Sequence, residues 1–543
     1  MPRSGGDAVY EALRALGVDT VFGIVSIHNI PILDAVARRG EMRIVTVRHE
    51  QAAVHAADAY ARASGRLGVA MASTGPGTTN TMTGLYEAAF ASSPVLLVTG
   101  QIQTSLLGRG KGSLHEAERQ LEMLRTVCRR VASPRRPDEV VAALYDVAAD
   151  VLTGRPQPGA VEIPIDLQHG DVPDDTVSAP TPARPAPADA PLGSAADAVR
   201  DASLRVIWAG GGVVRSRAQD ELRALAEALD APVVTTLNGR GAIAEDHPLC
   251  VGPFSGDQGV RALLERAEVV LAVGTRFRHS DTANFTLRLP GKVVHIDADS
   301  AVFNRNIEAE VRVLGDAKVV LAALAERLGD AKPTDAAFRE EAVKAGAVAR
   351  ENGRGLIGSD FEAIKDHIRD RSPRDAVIVR DATVPAYLWG DRLLPVYEPG
   401  TSINPTSAAI GPGLPFAVGA AATGATAVAI CGDGGFQLHI GELATLGQFG
   451  LPAKVVVFND GGYGVLRGIQ SARYEGRTIA VDLTTPDFAA VAQAMGVPGE
   501  RVEGVDGFKA SFDRALEADG PYLLDVDMDT LEPMAGLGAP RRR

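Results

Sequence analysis

Apolar positions along this chain recur in two alternating rhythms. Stretches with the spacing of an amphipathic helix fall at 7–16, 31–38, 50–63 and 80–91, and short apolar runs lie among them at 20–23, 43–47, 69–72 and 94–99. Val69-Ala70-Met71-Ala72 is apolar at every position, as in a strand buried on both faces. Strands alternating with helices predict a parallel sheet covered on both sides. The rhythm returns with strands at 205–209, 232–235, 268–273 and 292–296, and again at 376–379, 426–431, 453–458 and 522–526. A stretch rich in Pro, Ala and Asp at 172–191 reads as a linker, and a polar helical stretch at 329–354 leads into the last set of strands. The expectation is an α/β chain of three doubly wound parallel-sheet domains, at 1–172, 192–330 and 355–535. The first and last look alike in architecture, though not in obvious sequence.

Composition narrows the function. At 543 residues the chain exceeds one core, and 45% hydrophobic with 23% charged residues suits a globular protein. A net charge of −13 argues against broad binding to nucleic acid or anionic membrane. The three cysteines, Cys128, Cys250 and Cys431, are far apart, which points to a reducing cytoplasm rather than to a metal cluster. The start of the chain lacks a signal-peptide core, and no apolar run is long enough to span a bilayer. Arg541-Arg542-Arg543 reads as a frayed tail, with a grip on an anionic substrate as the alternative.

The densest chemical signal is Cys431-Gly432-Asp433-Gly434-Gly435-Phe436 at the end of one apolar strand, followed by Phe458-Asn459-Asp460-Gly461-Gly462 at the end of the next, with a helical pattern over 439–449 between them. Two carboxylates at the carboxyl ends of adjacent strands can hold one hard divalent cation, and the glycines let backbone N–H groups approach a phosphate. Gly-Asp-Gly alone is most often a surface turn; the strand context and spacing point to a diphosphate–Mg²⁺ site. Gly210-Gly211-Gly212 could cradle a nucleotide phosphate, but it lacks the full dinucleotide fingerprint and reads as a tight structural turn.

These runs resemble the thiamine-diphosphate motif. With 45–53, Ser73-Thr74-Gly75-Pro76-Gly77-Thr78-Thr79-Asn80, 94–101 and Gly411-Pro412-Gly413-Leu414-Pro415, the chain is similar to the acetolactate synthase, benzoylformate decarboxylase and pyruvate decarboxylase family of thiamine-diphosphate enzymes. The resemblance implies pyrimidine-binding, central and diphosphate-binding domains. It also implies a homodimer or homotetramer, with each cofactor between the first domain of one subunit and the last domain of another. By itself Glu50 could simply complement a helix dipole. The resemblance makes it the acid that shares a proton with N1′ of the aminopyrimidine. By the same resemblance Asp433, Asp460 and the Gly462 carbonyl hold Mg²⁺, with Asp460 standing where asparagine is commoner. Gly434, Gly435 and Phe436 offer backbone N–H groups to the diphosphate. Ile410, otherwise an ordinary core residue, is the apolar wedge that bends the cofactor, and the Ala408 carbonyl accepts from the 4′-nitrogen. Gly77 and Asn80 line the pyrimidine, and Gln101 is either a pocket residue or a surface one.

The subtype signal is mixed. Ile24-Val25-Ser26-Ile27-His28-Asn29 stands where synthases have Pro-Gly-Gly, and Leu114-His115 where they have Phe-Gln. His28 and His115 are therefore candidate acid/base groups, against the alternative of solvated loop histidines. Tyr463-Gly464-Val465-Leu466-Arg467 looks closer to benzoylformate decarboxylase, with Tyr463 against the cofactor and Val465, Leu466 and Ile469 suggesting an apolar pocket. Ile24 to Ile27 faintly resembles 2-hydroxyacyl-CoA lyases. Thr275-Arg276-Phe277 and His295-Ile296-Asp297 resemble the FAD-bearing synthases and allow FAD without requiring it. The expected activity is decarboxylation of a 2-oxo acid with transfer of the resulting carbanion to a second carbonyl. Simple decarboxylation or a lyase reaction is the alternative, and a cofactor-binding protein without catalysis is a third.

Overall fold

The computed structural model describes residues 3–173 and 177–534, so Arg541-Arg542-Arg543 lies outside the described residues. Among the described residues eighteen strands form three six-stranded sheets, and every strand pair within them is parallel. The first holds β1 (Thr20–Gly23), β2 (Arg43–Thr46), β3 (Gly68–Ala72), β4 (Val95–Gln101), β5 (Arg130–Ala132) and β6 (Gly159–Pro164), in the order β2-β1-β3-β4-β6-β5. The second holds β7 (Arg205–Ala209), β8 (Val233–Thr235), β9 (Cys250–Gly252), β10 (Val269–Val273), β11 (Lys292–Asp297) and β12 (Val311–Leu314), in the order β12-β11-β10-β7-β8-β9. The third holds β13 (Val377–Arg380), β14 (Ser402–Ile403), β15 (Ala427–Gly432), β16 (Ala453–Asn459), β17 (Gly499–Val502) and β18 (Tyr522–Asp527). Its order, β14-β13-β15-β16-β18-β17, repeats that of the first sheet. The α/β expectation of three parallel-sheet units with flanking helices is met.

Differences from the sequence reading lie mostly at edges. Six strands (β5, β6, β9, β12, β14 and β17) carry no plain apolar signal. Between 177 and 188 there is neither helix nor strand, and the helix Asp189–Asp201 begins inside the expected linker. The polar stretch before the third sheet belongs to the helix Ala336–Arg371, broken at Gly358. The expected helix over 80–91 is two pieces, Pro76–Asn80 and Met82–Ala91.

The first and third units share one core. Helix Glu50–Ser64 lies on helix Gly413–Ala421, and a Cβ on Gly419 would come within 2.0 Å of the Ala56 carbonyl oxygen. Alanines and a glycine let the backbones approach this closely, and Ala52, Ala53, Leu414, Phe416 and Ala417 fill the contact. Parallel sheets bind ligands where the strand order reverses, at the carboxyl ends of the strands. Those points fall between β1 and β3, β7 and β10, and β13 and β15.

Candidate active site

At the third reversal, β15 ends at Gly432 and runs directly into the short helix Asp433–Phe436. Asp433 is buried, and its Oδ2 has no hydrogen-bond partner. Burial, with the nearby charge of Asp460, pushes the Asp433 carboxyl up to about 7; burial raises Asp460 as well. An orphaned carboxylate oxygen beside a second acid is the environment that a divalent cation relieves. The surrounding glycines are required: a Cβ on Gly464 would lie 2.2 Å from Asp460 Oδ2, and one on Gly434 would lie 2.7 Å from the Tyr463 ring and 3.2 Å from the Gly462 carbonyl oxygen. These residues fit Mg²⁺ and a diphosphate. Among the described residues no group of three or more His, Cys, Asp or Glu side chains that could hold a metal ion is found; a cation here would need oxygens besides those of the two aspartates. Arg467, nearly enclosed, donates to Asp460 Oδ2 at 3.0 Å and to Asp482 at 2.9 Å, which offsets the charge that aspartate adds where asparagine is usual. Asn459 braces the turn through Asp525 at 3.1 Å. Gly434, Gly435, Asp460, Gly462, Tyr463, Val465 and Leu466 line one small cleft of about 40 Å³ with Ile410. The Phe436 ring is buried edge-on against Phe488, so only its backbone is left to face a ligand.

Ile410 is 37% exposed and stands beside this cleft, which is unlike a core residue. Ala408 is also exposed and has φ +63°, the left-handed region that alanine rarely adopts. Asp381, at the end of β13, is buried and accepts from the Gly411 N–H at 2.8 Å and the Gly413 N–H at 3.3 Å. Burial raises its carboxyl to about 6. Nothing in the sequence marks Asp381, yet it fixes the chain just after Ile410. Asp381→Ala is expected to weaken uptake of the cofactor by about tenfold or more, from the loss of charge-assisted hydrogen bonds. Calorimetric titration checks this, and an unchanged affinity removes Asp381 from the site.

At the first reversal, Glu50 opens helix Glu50–Ser64 directly after β2 and its following loop. Its Oε2 accepts from Asn80 Nδ2 at 3.0 Å, and its Oε1 lies 3.4 Å from where a Gly77 Cβ would stand. Ser73, at the end of β3, gathers the two loop histidines: its Oγ is 2.6 Å from Ser26 Oγ, 3.3 Å from His115 Nδ1 and 3.5 Å from His28 Nδ1. The imidazole rings are 5.5 Å apart. Burial, then the neighbouring His115, lowers the pKa of His28. His115 has φ +61°, a strained backbone of the kind that collects at functional sites. Gln101 lies one layer behind: its amide is engaged by Thr74 Oγ1 at 3.1 Å, the Ile102 N–H at 2.8 Å and Glu162 at 3.2 Å. Asn29, next to His28, spends its amide within its own loop, on Ser26 and Ile24. Ser73, Ser26 and Glu162 carried no signal of their own in the sequence.

At the second reversal, Gly210 caps the helix Gly211–Ser216 and packs closely, since a Cβ on it would stand 2.2 Å from the Gly274 carbonyl oxygen, while Gly211 and Gly212 face the neighbouring cavity. Beside it lies a cavity of about 320 Å³ lined by Arg155, Arg215, Arg276, Arg278 and Asp297 among others. Its arginines suit phosphate groups, and this is where the resemblance allows FAD.

Comparison with known proteins agrees with this geometry. Three family models match: the thiamine pyrophosphate enzyme N-terminal TPP-binding domain at residues 3–123, the central domain at 192–324 and the C-terminal TPP-binding domain at 385–526. The chain is 32% identical to a probable acetolactate synthase large subunit of Methanocaldococcus jannaschii, over 98% of this chain and 93% of the relative. It is 32% identical to the acetolactate synthase isozyme 2 large subunit of Escherichia coli, over 99% and 98%. It is 33% identical to an acetolactate synthase large subunit of Mycobacterium tuberculosis, over 92% and 84%.

Proposed function

The chain belongs to the thiamine pyrophosphate enzyme family, and from that membership we propose that it is a Mg²⁺-dependent, acetolactate synthase-like carboligase acting on a 2-oxo acid. The observation that carries this reading is the buried Asp433 with its unpartnered oxygen, beside Asp460 in a glycine cradle. When bound, thiamine diphosphate supplies the electron sink for loss of CO₂ and for joining the remaining fragment to a second carbonyl.

The chain's own groups do the rest. Glu50 holds a proton at Oε1 for the pyrimidine nitrogen while Asn80 occupies Oε2. Gly77 lets the ring approach Glu50. Asp433, Asp460 and the Gly462 carbonyl hold the metal, and Gly434, Gly435 and Phe436 give their N–H groups to the diphosphate. Ile410 props the bend, the Ala408 carbonyl accepts from the amino group, and Tyr463 closes the cleft. His28 and His115 hold and move protons at the substrate carbonyls, and Gln101 acts as a brace behind Thr74. Val465, Leu466 and Ile469 exclude water. The domains at 1–172, 192–330 and 355–535 act as pyrimidine-binding, central and diphosphate-binding units in a homodimer or homotetramer. Its three free, buried cysteines suit a reducing cytoplasm; among the described residues no helix is long and apolar enough to cross a membrane.

One observation favours a second reading. The His28–Ser73–His115 cluster is well placed to deliver a proton, which would end the reaction at an aldehyde, as in a benzoylformate decarboxylase-like enzyme. A 2-hydroxyacyl-CoA lyase-like reaction would use the same groups in the cleaving direction. Incubation of the cofactor-loaded protein with a panel of 2-oxo acids, with products identified by mass spectrometry, separates these. A hydroxyketo acid is expected. Aldehyde alone selects the second reading, and no CO₂ from any member contradicts both decarboxylating readings.

A further inference from the structure

The conformation of Ala408 is not explained by its own side chain, which is exposed. It is imposed by backbone bonds on either side. After it, Asp381 holds Gly411 and Gly413. Before it stands Glu87, from helix Met82–Ala91 of the first unit and wholly enclosed. Glu87 Oε1 accepts from the Thr406 N–H at 2.7 Å and from Arg62 Nη2 at 2.9 Å. Its Oε2 accepts from the Ser407 N–H at 2.9 Å and from the Ser407 hydroxyl. Arg62 in turn grips Asp58 through two bonds and donates to the Asn404 carbonyl at 2.7 Å. From the central unit, Arg278 donates to the Thr406 carbonyl at 3.2 Å. The two N–H groups that Glu87 takes immediately precede the left-handed residue.

We propose that Glu87 is a positioning residue that sets the Ala408–Ile410 bend of its own chain, so that the first unit serves two cofactor sites: the partner's through Glu50 and its own through Glu87. This rests on the function proposed above, including a site shared between subunits. A buried carboxylate that takes two consecutive N–H groups and a hydroxyl fixes the backbone more tightly than a neutral acceptor. Glu87→Gln keeps the shape, loses the charge, and is expected to weaken thiamine diphosphate uptake by at least about tenfold.

Mixed dimers of differently tagged chains provide the test. In E50Q paired with E87Q, both lesions fall on one site and the other is intact. That dimer should recover about half of wild-type turnover, as a two-fold symmetric pair with one good site. By calorimetry it should take up one equivalent of thiamine diphosphate with wild-type affinity and a second at least about tenfold more weakly. E87Q paired with D433N places one lesion in each site and, at limiting thiamine diphosphate, should turn over at least several-fold more slowly than E50Q with E87Q. E50Q paired with D433N is the control for the shared site and should recover. With the control recovering, equal recovery in E87Q with D433N, or none in E50Q with E87Q, overturns the role of Glu87 alone. No recovery in the control overturns the shared-site reading beneath it. A general loss of stability would not produce this partner-specific pattern. Glu87→Asp, which keeps the charge beside Arg62, replaces the glutamine variant if that fails to fold.

Discussion

Glu50→Gln should reduce turnover by at least about 10²–10⁴-fold, the usual contribution of a positioned general acid or base, while the protein stays folded and still takes up cofactor. The geometry explains why the change is so selective. Glu50 sits at the start of a helix that is anchored along its length against helix Gly413–Ala421, so its backbone does not depend on the carboxyl. Asn80 already donates to Oε2, and a glutamine side chain is nearly the same size. What glutamine cannot do is hold and release a proton at Oε1. Steady-state turnover measured beside a melting curve and a cofactor titration checks all three parts. A variant with near-normal turnover would refute the assignment of Glu50.

Asp433→Asn is the second large effect, and it acts at an earlier stage. The metal loses a charged oxygen at the centre of its site, so uptake of Mg²⁺ and thiamine diphosphate together should weaken by about 100-fold or more, as expected where a charged hydrogen-bonding and ligating group is lost in a buried site. The same residue costs the empty protein stability. Burial and Asp460 raise its pKa from 3.8 to about 7. An acid raised in the folded state lowers stability; the cost is absent below 3.8, grows between 3.8 and about 7, and is complete above that. Asparagine carries no such cost. The cofactor-free variant should therefore melt about 2 °C or more above the wild type at pH 8, with the gain shrinking as pH falls towards 5. Calorimetric melting across pH checks this. Equal melting of both proteins at pH 8 contradicts the picture of a charge held unpaired for a metal. By the same linkage, Mg²⁺ affinity of the wild type should rise with pH up to about 7 and then level.

The parts of the fold that could be read from sequence are those whose local pattern is set by burial on both faces. β1 and β7 appear at their expected residues, and β15 and β16 within a residue, because each is mostly apolar and none lies at the edge of its sheet. The edges were hidden. β14 is two residues long, and β5, β9, β12 and β17 are three or four, too short to show a period. β6 is fully buried but carries Glu162, which looks polar in sequence and is accommodated by hydrogen bonds from Gln101 and Gln120 and by Arg135 at 4.0 Å.

The site divides in the same way. The metal loop was legible because its glycines and carboxylates are consecutive in sequence and each end of the motif closes an apolar strand. Glu87 was not, because the backbone it holds lies 319 and 320 residues further along the chain. Asp381 and Ser73 were invisible for a related reason: each is an ordinary residue at a strand end, and its role exists only where other loops converge on it. Asp460 read in sequence as an extra negative charge where asparagine is commoner. Arg467, seven residues on and folded back by its helix, resolves it.

The central claim is that Asp433 and Asp460 seat a thiamine diphosphate through Mg²⁺. Isothermal titration of thiamine diphosphate into the Mg²⁺-saturated protein tests it most directly. Saturable uptake of one equivalent per chain, lost when Mg²⁺ is removed by a chelator, is the expected result; no uptake by the metal-replete protein would contradict the account.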